Sequence, residues 1–271
     1  MNFPDNRFMI YRTDYHIHTL YSDGKAPPED YITPAIDAGL DEIGFAEHLN
    51  LMHSDLHWCM DLEKVPGYLE HISRLRDSYS GIKIKTGLEV DYFPGMENET
   101  TLFLEPLKLD YVIGSVHYMG ENTVDNSMDF FMGKDIDRLF EEYFEIVYNA
   151  VASGLFDIIA HCDLVRIFGH RYSGDPGHFY SRLASMMSKY DIAFEINTNG
   201  KNRPLGEFYP DIRFLHLFRE ANVPVCVNSD AHLPERVGEN FDEAYKLLKD
   251  AGYGEMCIFT GRNRKMVPFA L

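Results

Sequence analysis

No stretch of about 18 apolar residues occurs in the chain, so no segment is long and apolar enough to be expected to cross a bilayer as a helix. Cysteine is scarce: Cys59, Cys162, Cys226 and Cys257 stand far apart with no CxxC spacing, which excludes a zinc ribbon and a disulfide framework. They read as reduced thiols, with Cys162 and Cys226 packed in strands. Basic charge is short as well. Lys and Arg number 25 against 43 Asp and Glu, a net charge of −18. That balance opposes broad attachment to nucleic acid or to an anionic membrane, since both are polyanions that need a basic footprint, and a small molecule is the expected partner. The opening MNFPDNRFMIYRTDY lacks the charged start and apolar centre of an export signal, so a cytoplasmic protein is expected. No Ser/Gly linker, low-complexity tract or repeat divides the 271 residues, and one unit over 1–271 is expected.

What is present suits a large ordered core: hydrophobic residues make up 45% and aromatics 14%. Short apolar runs alternate with longer helical patterns, the mark of repeated β/α units over a mostly parallel sheet. Strands are expected to end near His18, His48, Asp91, His117, His161, Asn197 and Asp230. Helices are expected over Pro28–Ala38, Pro66–Tyr79, Asp135–Ser153, Gly177–Tyr190, Ile212–Ala221 and Glu239–Ala251. Gly39, Gly154 and Gly252 stand where C-terminal caps belong. Leu49–Val65, Phe93–Glu105 and Gly120–Gly133 read as long loops at one end of a barrel, the usual carriers of substrate contacts.

Almost every candidate strand closes on His, Asp or Glu. In a parallel barrel the strand C-termini share one face, so residues distant in sequence meet there around one pocket. In Asp14-Tyr15-His16-Ile17-His18 the two histidines are two apart, which in a strand turns both imidazoles to the same side. Asp23, in Tyr21-Ser22-Asp23-Gly24, can cap a turn or bind a cation. Glu47-His48 ends the second strand. Glu89 and Asp91 share a face of the third, where buried carboxylates are costly unless paired with cations. His117 and His161 close the next two strands, and Asp230-Ala231-His232 closes the last. A single strand-end histidine is unremarkable as a core residue, but six are a site. His53, His57, His71, His170, His178 and His216 fall in loops or helices and read as ordinary, with His57, His170 and His178 available to a substrate.

The ordered set HxH, a loop acid, EH, GLEVDYFPG, SVH, AHCDL and NSDAH resembles the polymerase and histidinol phosphatase (PHP) superfamily across nearly the whole chain. LDYVIGSVHY, FDIIAHCDLVRIFG and INTNGKNRPLGEFYP resemble its histidinol-phosphate phosphatase branch. The resemblance implies an α/β fold, a distorted (β/α)7 barrel with its metal site at the strand C-termini. It also implies three divalent ions drawn from Zn, Mn, Fe or Co. His16, His18, Glu89 and Asp230 would hold one; Glu89, as a bridge, with His117 and His161 a second; Asp23, His48 and His232 the third. These nine residues bring three negative charges, from Asp23, Glu89 and Asp230, against six positive ones, leaving a centre that attracts a phosphate dianion.

The expected reaction is hydrolysis of L-histidinol phosphate by a hydroxide shared between two ions, with no phosphoenzyme. Asp230, His232 or a water would protonate the leaving alcohol. Arg166 and Arg203 are the expected donors to phosphate, and Glu207, with Asp91 or Asp163 as alternatives, the expected partner of the amine. A phosphatase or phosphodiesterase for another small ester, such as a nucleotide or sugar phosphate, would need the same centre and differ in its outer pocket. A DNA exonuclease is opposed by the acidic balance. A non-catalytic metal-stabilised module is opposed by the completeness of the ligand set.

Overall fold

The computed structural model describes residues 11–53 and 56–269. The first ten residues, on which the export reading largely rests, and Ser54 and Asp55 of the expected Leu49–Val65 loop lie outside the described residues. Seven parallel strands form one sheet: β1 (Thr13–Asp14), β2 (Glu42–Leu49), β3 (Lys83–Asp91), β4 (Tyr111–Ser115), then, beyond a small antiparallel hairpin of β5 (Tyr118–Met119) and β6 (Asn122–Thr123), β7 (Ile158–Ile159), β8 (Ala193–Asn197) and β9 (Val225–Asn228). Their spatial order is β1-β2-β3-β4-β7-β8-β9, each neighbour parallel. A parallel bridge between Ile17 and Ala231 brings the two edges together, with His18 N donating to Ala231 O at 2.9 Å and Ala231 N to His16 O at 3.1 Å. The sheet is therefore a nearly closed seven-stranded barrel, and every strand end named from the sequence lies at the same mouth.

The strands are buried on both faces, as parallel strands under helices must be. β2 and β4 have no exposed residue. Inside the barrel, Tyr15, Tyr111, Ile113, Ile158, Ala160 and Cys226 pack together. Tyr111 lies across Gly87, where a Cβ would come within 2.2 Å of its ring, and its hydroxyl donates to Tyr15 O at 2.7 Å. Glycine at 87 is thus required by close approach.

Helices α1 (Pro28–Asp37), α2 (Val65–Ser78), α3 (Glu97–Leu104), α4 (Ile136–Ala152), α5 (Gly177–Tyr190), α6 (Leu215–Glu220) and α7 (Phe241–Asp250) surround the sheet. Six correspond to the periodic stretches read from the sequence, although Ile212–Phe214 is a 3₁₀ turn leading into α6. Two features differ. Helix α3 occupies the expected Phe93–Glu105 loop, and an antiparallel hairpin of β10 (Glu255–Thr260) and β11 (Asn263–Pro268) follows α7, where the sequence reading has no element. This hairpin places Cys257 and Phe259 in the inner cluster of the barrel, at the end away from the mouth. All four cysteines are free, and Cys162, Cys226 and Cys257 are buried. Among the described residues no helix is long and apolar enough to cross a membrane.

Candidate metal centre

At the mouth, alternation along the closing edge turns Ile17 into the core and His16 and His18 into the barrel axis. Glu89, fully buried on β3, stands at the middle of the cluster. Its Oε2 is 2.6 Å from His48 Nδ1, 3.2 Å from His16 Nε2 and 3.5 Å from His18 Nε2. Its Oε1 is 3.1 Å from His161 Nε2 and 3.8 Å from His117 Nε2, and accepts from Ser115 Oγ. Asp230 Oδ1 lies 3.3 Å from His18 Nε2 and 4.0 Å from His16 Nε2. Asp23 Oδ1 lies 3.1 Å from His232 Nε2 and 3.6 Å from His48 Nε2. Asp230 adopts a left-handed backbone, φ +50°, a conformation uncommon outside glycine and typical of constrained functional sites.

The nine residues implied as ligands meet in one cluster. Eight fall into three groups whose donor atoms lie within 4.8 Å of one another: His16, His18 and Asp230; His48, Glu89 and His117; and His18, Asp23, His48 and His232. His161 joins through Glu89. The grouping differs from the implied one in that His48 stands beside Glu89 and His117 as well as beside Asp23 and His232.

Charge is strongly coupled here. Burial would push Glu89 up, but His16 and His48 hold it well below the usual carboxylate range; burial is likewise outweighed at Asp230, by His16, His18 and His232. Burial, with repulsion from His48 and His232, pulls His18 down to about 3. At His117 burial is overcome by Asp91, which raises it to about 10. His16 Nε2, His18 Nε2 and Glu89 Oε2 are buried without a well-directed hydrogen bond. Converging imidazole nitrogens and carboxylate oxygens, several of them without a well-directed hydrogen bond, are costly as they stand and suited to divalent cations. The residues present therefore fit metal ions.

Behind the cluster stand acids whose contacts with its histidines and loops were not read from the sequence. Glu195 on β8 takes His16 Nδ1 at 3.0 Å. Asp91, read from the sequence as a buried carboxylate that cations would pair and as an alternative amine partner, takes His117 Nδ1 at 2.7 Å. Glu47 accepts from Thr19 N at 3.0 Å, from Thr19 Oγ1 at 2.6 Å and from Ser22 Oγ, tying down the loop that bears Asp23.

A cavity of about 870 Å³ opens over the cluster. Asp23, His48, His117, His161, Asp230 and His232 line its floor, Arg203 and Tyr209 one side, and Trp58, Tyr118, Glu121, Asp125, Asp129 and Phe130 the other. Arg166 and Glu207 line a neighbouring cavity of about 550 Å³. There Arg166 donates to Asp163 Oδ2 at 2.6 Å and pairs with Glu207, which also takes Arg171 at 2.5 Å. Asp163 further accepts from Tyr180 Oη at 2.6 Å. His57, His170 and His178 are not among the residues lining the main cavity. Apart from Tyr118, which directly follows His117, the acidic and aromatic wall falls within two of the loops singled out in the sequence; its residue types gave no separate signal.

Comparison with known proteins agrees with this geometry. The family model described as PHP domain matches residues 14–199. A protein of Deinococcus radiodurans named probable histidinol-phosphatase is 36% identical over 261 residues, covering 94% of this chain and 98% of that protein. The histidinol-phosphatase of Lactococcus lactis subsp. lactis is 28% identical over 270 residues, covering 94% and 98%. A crystal structure of histidinol phosphate phosphatase from Lactococcus lactis, complexed with zinc, L-histidinol and phosphate, superimposes with a TM-score of 0.84 at 26% identity, covering 94% of this chain and 99% of that one. A putative histidinol phosphatase of Listeria monocytogenes shares the fold, with a TM-score of 0.77 at 24% identity over 86% of this chain and 99% of that one. Across barrel, cluster and sequence, then, this chain belongs to the PHP domain family, on the branch whose relatives bear the name histidinol-phosphatase.

Proposed function

We propose that this chain is a metal-dependent phosphomonoesterase that hydrolyses L-histidinol phosphate to L-histidinol and phosphate, the phosphate-removing step of histidine biosynthesis. The observation that carries the reading is the convergence of six imidazoles and three carboxylates in one cluster, six of whose residues line a cavity large enough for a small ester, in a chain alignable almost end to end with named histidinol-phosphatases. Three divalent ions, from Zn, Mn, Fe or Co, belong to this reading. His16, His18, Glu89 and Asp230 would hold one, His117, His161 and Glu89 a second, and Asp23, His48 and His232 a third. Residues 1–271 act as one unit in it, because Asp230 and His232 lie beyond the stretch that the family model matches. Free, mostly buried thiols suit a reducing compartment such as the cytoplasm.

Bound divalent ions supply Lewis acidity, activating water near neutral pH and neutralising phosphate charge. The protein's own groups do the rest. Arg203, on the cavity wall, donates to phosphoryl oxygens; Arg166, buried against Asp163 and Glu207 in the neighbouring cavity, would join it only by leaving Glu207. His232, on the cavity floor, or a water delivers the proton to the leaving oxygen; Asp230, also expected for this role, is held ionised by the histidines around it and suits it less. Glu207 reaches an amine only by leaving Arg166 and Arg171. Glu121, Asp125 and Asp129 line the cavity over the cluster without that constraint. With the rings of Trp58 and Tyr118, 6.2 Å apart and inclined by 25°, they offer a wall suited to a flat, cationic head. That wall favours histidinol phosphate over sugar phosphates and nucleotides, which lack a cationic end.

The test is phosphate release by metal-reconstituted protein from histidinol phosphate beside sugar phosphates, nucleotides and a chromogenic phosphodiester, with His117→Asn as control. A preference of at least about tenfold in kcat/KM for histidinol phosphate, abolished in the control, is the expected outcome. Better turnover of a nucleotide or sugar phosphate would retain the centre and replace the substrate. No turnover of any ester would overturn the enzyme reading.

A further inference from the structure

We infer that Glu195 and Asp91 are positioning residues that address two different ions of the centre, each through one histidine; this rests on the reading above that the cluster holds metal. Glu195 is buried in β8 and is hydrogen-bonded by four groups. It accepts from His16 Nδ1 at 3.0 Å, His161 N at 3.0 Å, Asn197 Nδ2 at 2.8 Å and Asn228 Nδ2 at 2.7 Å. Asn197 Nδ2 in turn lies 3.2 Å from Asp230 Oδ2. One carboxylate thus ties together groups at the ends of β1, β7, β8 and β9, the side of the barrel on which the sheet closes.

An imidazole that donates its Nδ1 proton to a carboxylate presents its Nε2 lone pair on the far side, with ring orientation fixed and basicity raised. His16 is held in this way, with Nε2 3.2 Å from Glu89 Oε2. The same arrangement recurs across the cluster. Asp91 Oδ1 takes His117 Nδ1 at 2.7 Å, its other oxygen takes Asn50 Nδ2 at 2.8 Å, and His117 Nε2 points to Glu89 Oε1 at 3.8 Å. Among the described residues the remaining imidazoles lack a backing acid from outside the cluster, although His232 Nδ1 lies 3.5 Å from Oδ1 of Asp230, itself a proposed ligand. His232 Nδ1 meets the backbone O of Asp230, His18 and His161 have unpartnered Nδ1 atoms, and His48 Nδ1 meets Glu89 itself. The two backed histidines therefore stand at opposite oxygens of the central glutamate. Loss of either backing acid is felt at one ion and spares the other.

The experiment is a zinc-binding cycle read without substrate. Wild type, Glu195→Gln, Asp91→Asn, His16→Asn, His117→Asn and the four cross-combinations are stripped with chelator. Each is then titrated with zinc against a chromophoric competitor, with bound metal counted by elemental analysis. Glu195→Gln is expected to weaken one equivalent by about 10- to 100-fold. It should add little to His16→Asn and its full effect to His117→Asn; Asp91→Asn should do the reverse. Melting curves of the stripped proteins separate this from a folding defect. If Glu195→Gln does not fold, Glu195→Asp, which keeps the charge one methylene shorter, goes through the same cycle. Wild-type affinities in the variants, or losses additive with both histidine substitutions, would overturn the roles assigned here. Wild-type protein that takes up no zinc would instead overturn the metal-centre reading beneath them.

Discussion

Asp211 illustrates a single acid made to stabilise the fold outside the metal cluster. It accepts from Arg213 N at 3.1 Å, capping the 3₁₀ turn before α6, takes the Arg213 guanidinium at 2.6 Å and lies 3.8 Å from Arg166. Burial would raise its carboxyl, but Arg213 and Arg166 outweigh that and hold it below the ordinary value. A carboxylate with a depressed folded pKa contributes stability that is fully present above its unfolded value of about 4 and is lost as pH falls through the folded value. Asp211→Asn should therefore be less stable than wild type at pH 7 by about 1.5–3 kcal/mol, the scale of charged hydrogen bonds. The gap should close toward pH 3. Urea midpoints across pH 3–7 test this, and a gap of constant size would refute it.

Among the elements, the hairpin of β10 and β11 closes the barrel at the end opposite the site. The Phe259 ring lies 6.1 Å from that of Tyr15 and 6.4 Å from that of Tyr111, and its carbonyl accepts from Lys85 Nζ at 2.7 Å. Phe259→Ala should cost about 3–5 kcal/mol in urea unfolding, as large core truncations do. Metal uptake per folded molecule should stay at the wild-type level, and a matching loss of zinc would show that the two ends of the barrel are coupled. The same hairpin marks a limit of sequence reading. The strand ends were legible because each bears a metal-ligand residue type after an apolar run, and helices such as α4 because Leu139, Phe140, Tyr143, Phe144 and Val147 repeat on one face. Helix α3, ENETTLFL, buries only Thr100 and Leu104, so no apolar stripe announces it. In β11 the charged, partly exposed Asn263–Pro268 gains its meaning from partners on another strand. Glu195 was hidden for a related reason: in AFEIN it is one acid in an apolar run, and the donors that justify its burial lie 179, 34 and 33 residues away at His16, His161 and Asn228.

For the whole molecule, the seam where β9 meets β1 has the shortest backbone pairing of the barrel. Elsewhere strands share ladders, up to eight residue pairs between β2 and β3, whereas here a single bridge joins Ile17 to Ala231. The proposed ligands straddle that seam, with His16 and His18 on one side and Asp230 and His232 on the other. Ions bound between them would clasp the two edges and offset repulsion within a chain of net charge −18. Chelation should therefore loosen the barrel as well as silence it. A ligand present at 100 times its Kd adds about 2.7 kcal/mol per site. In a chain of this size that corresponds to a fall in Tm of roughly 5–10 °C for each site emptied. Hydrogen exchange locates the effect: on chelation the amides of His18 and Ala231, which bond across the seam, should lose protection before those in the β2–β3 ladder, and zinc should restore it. An unchanged Tm with equal protection on both sides would mean that the edges hold without ions.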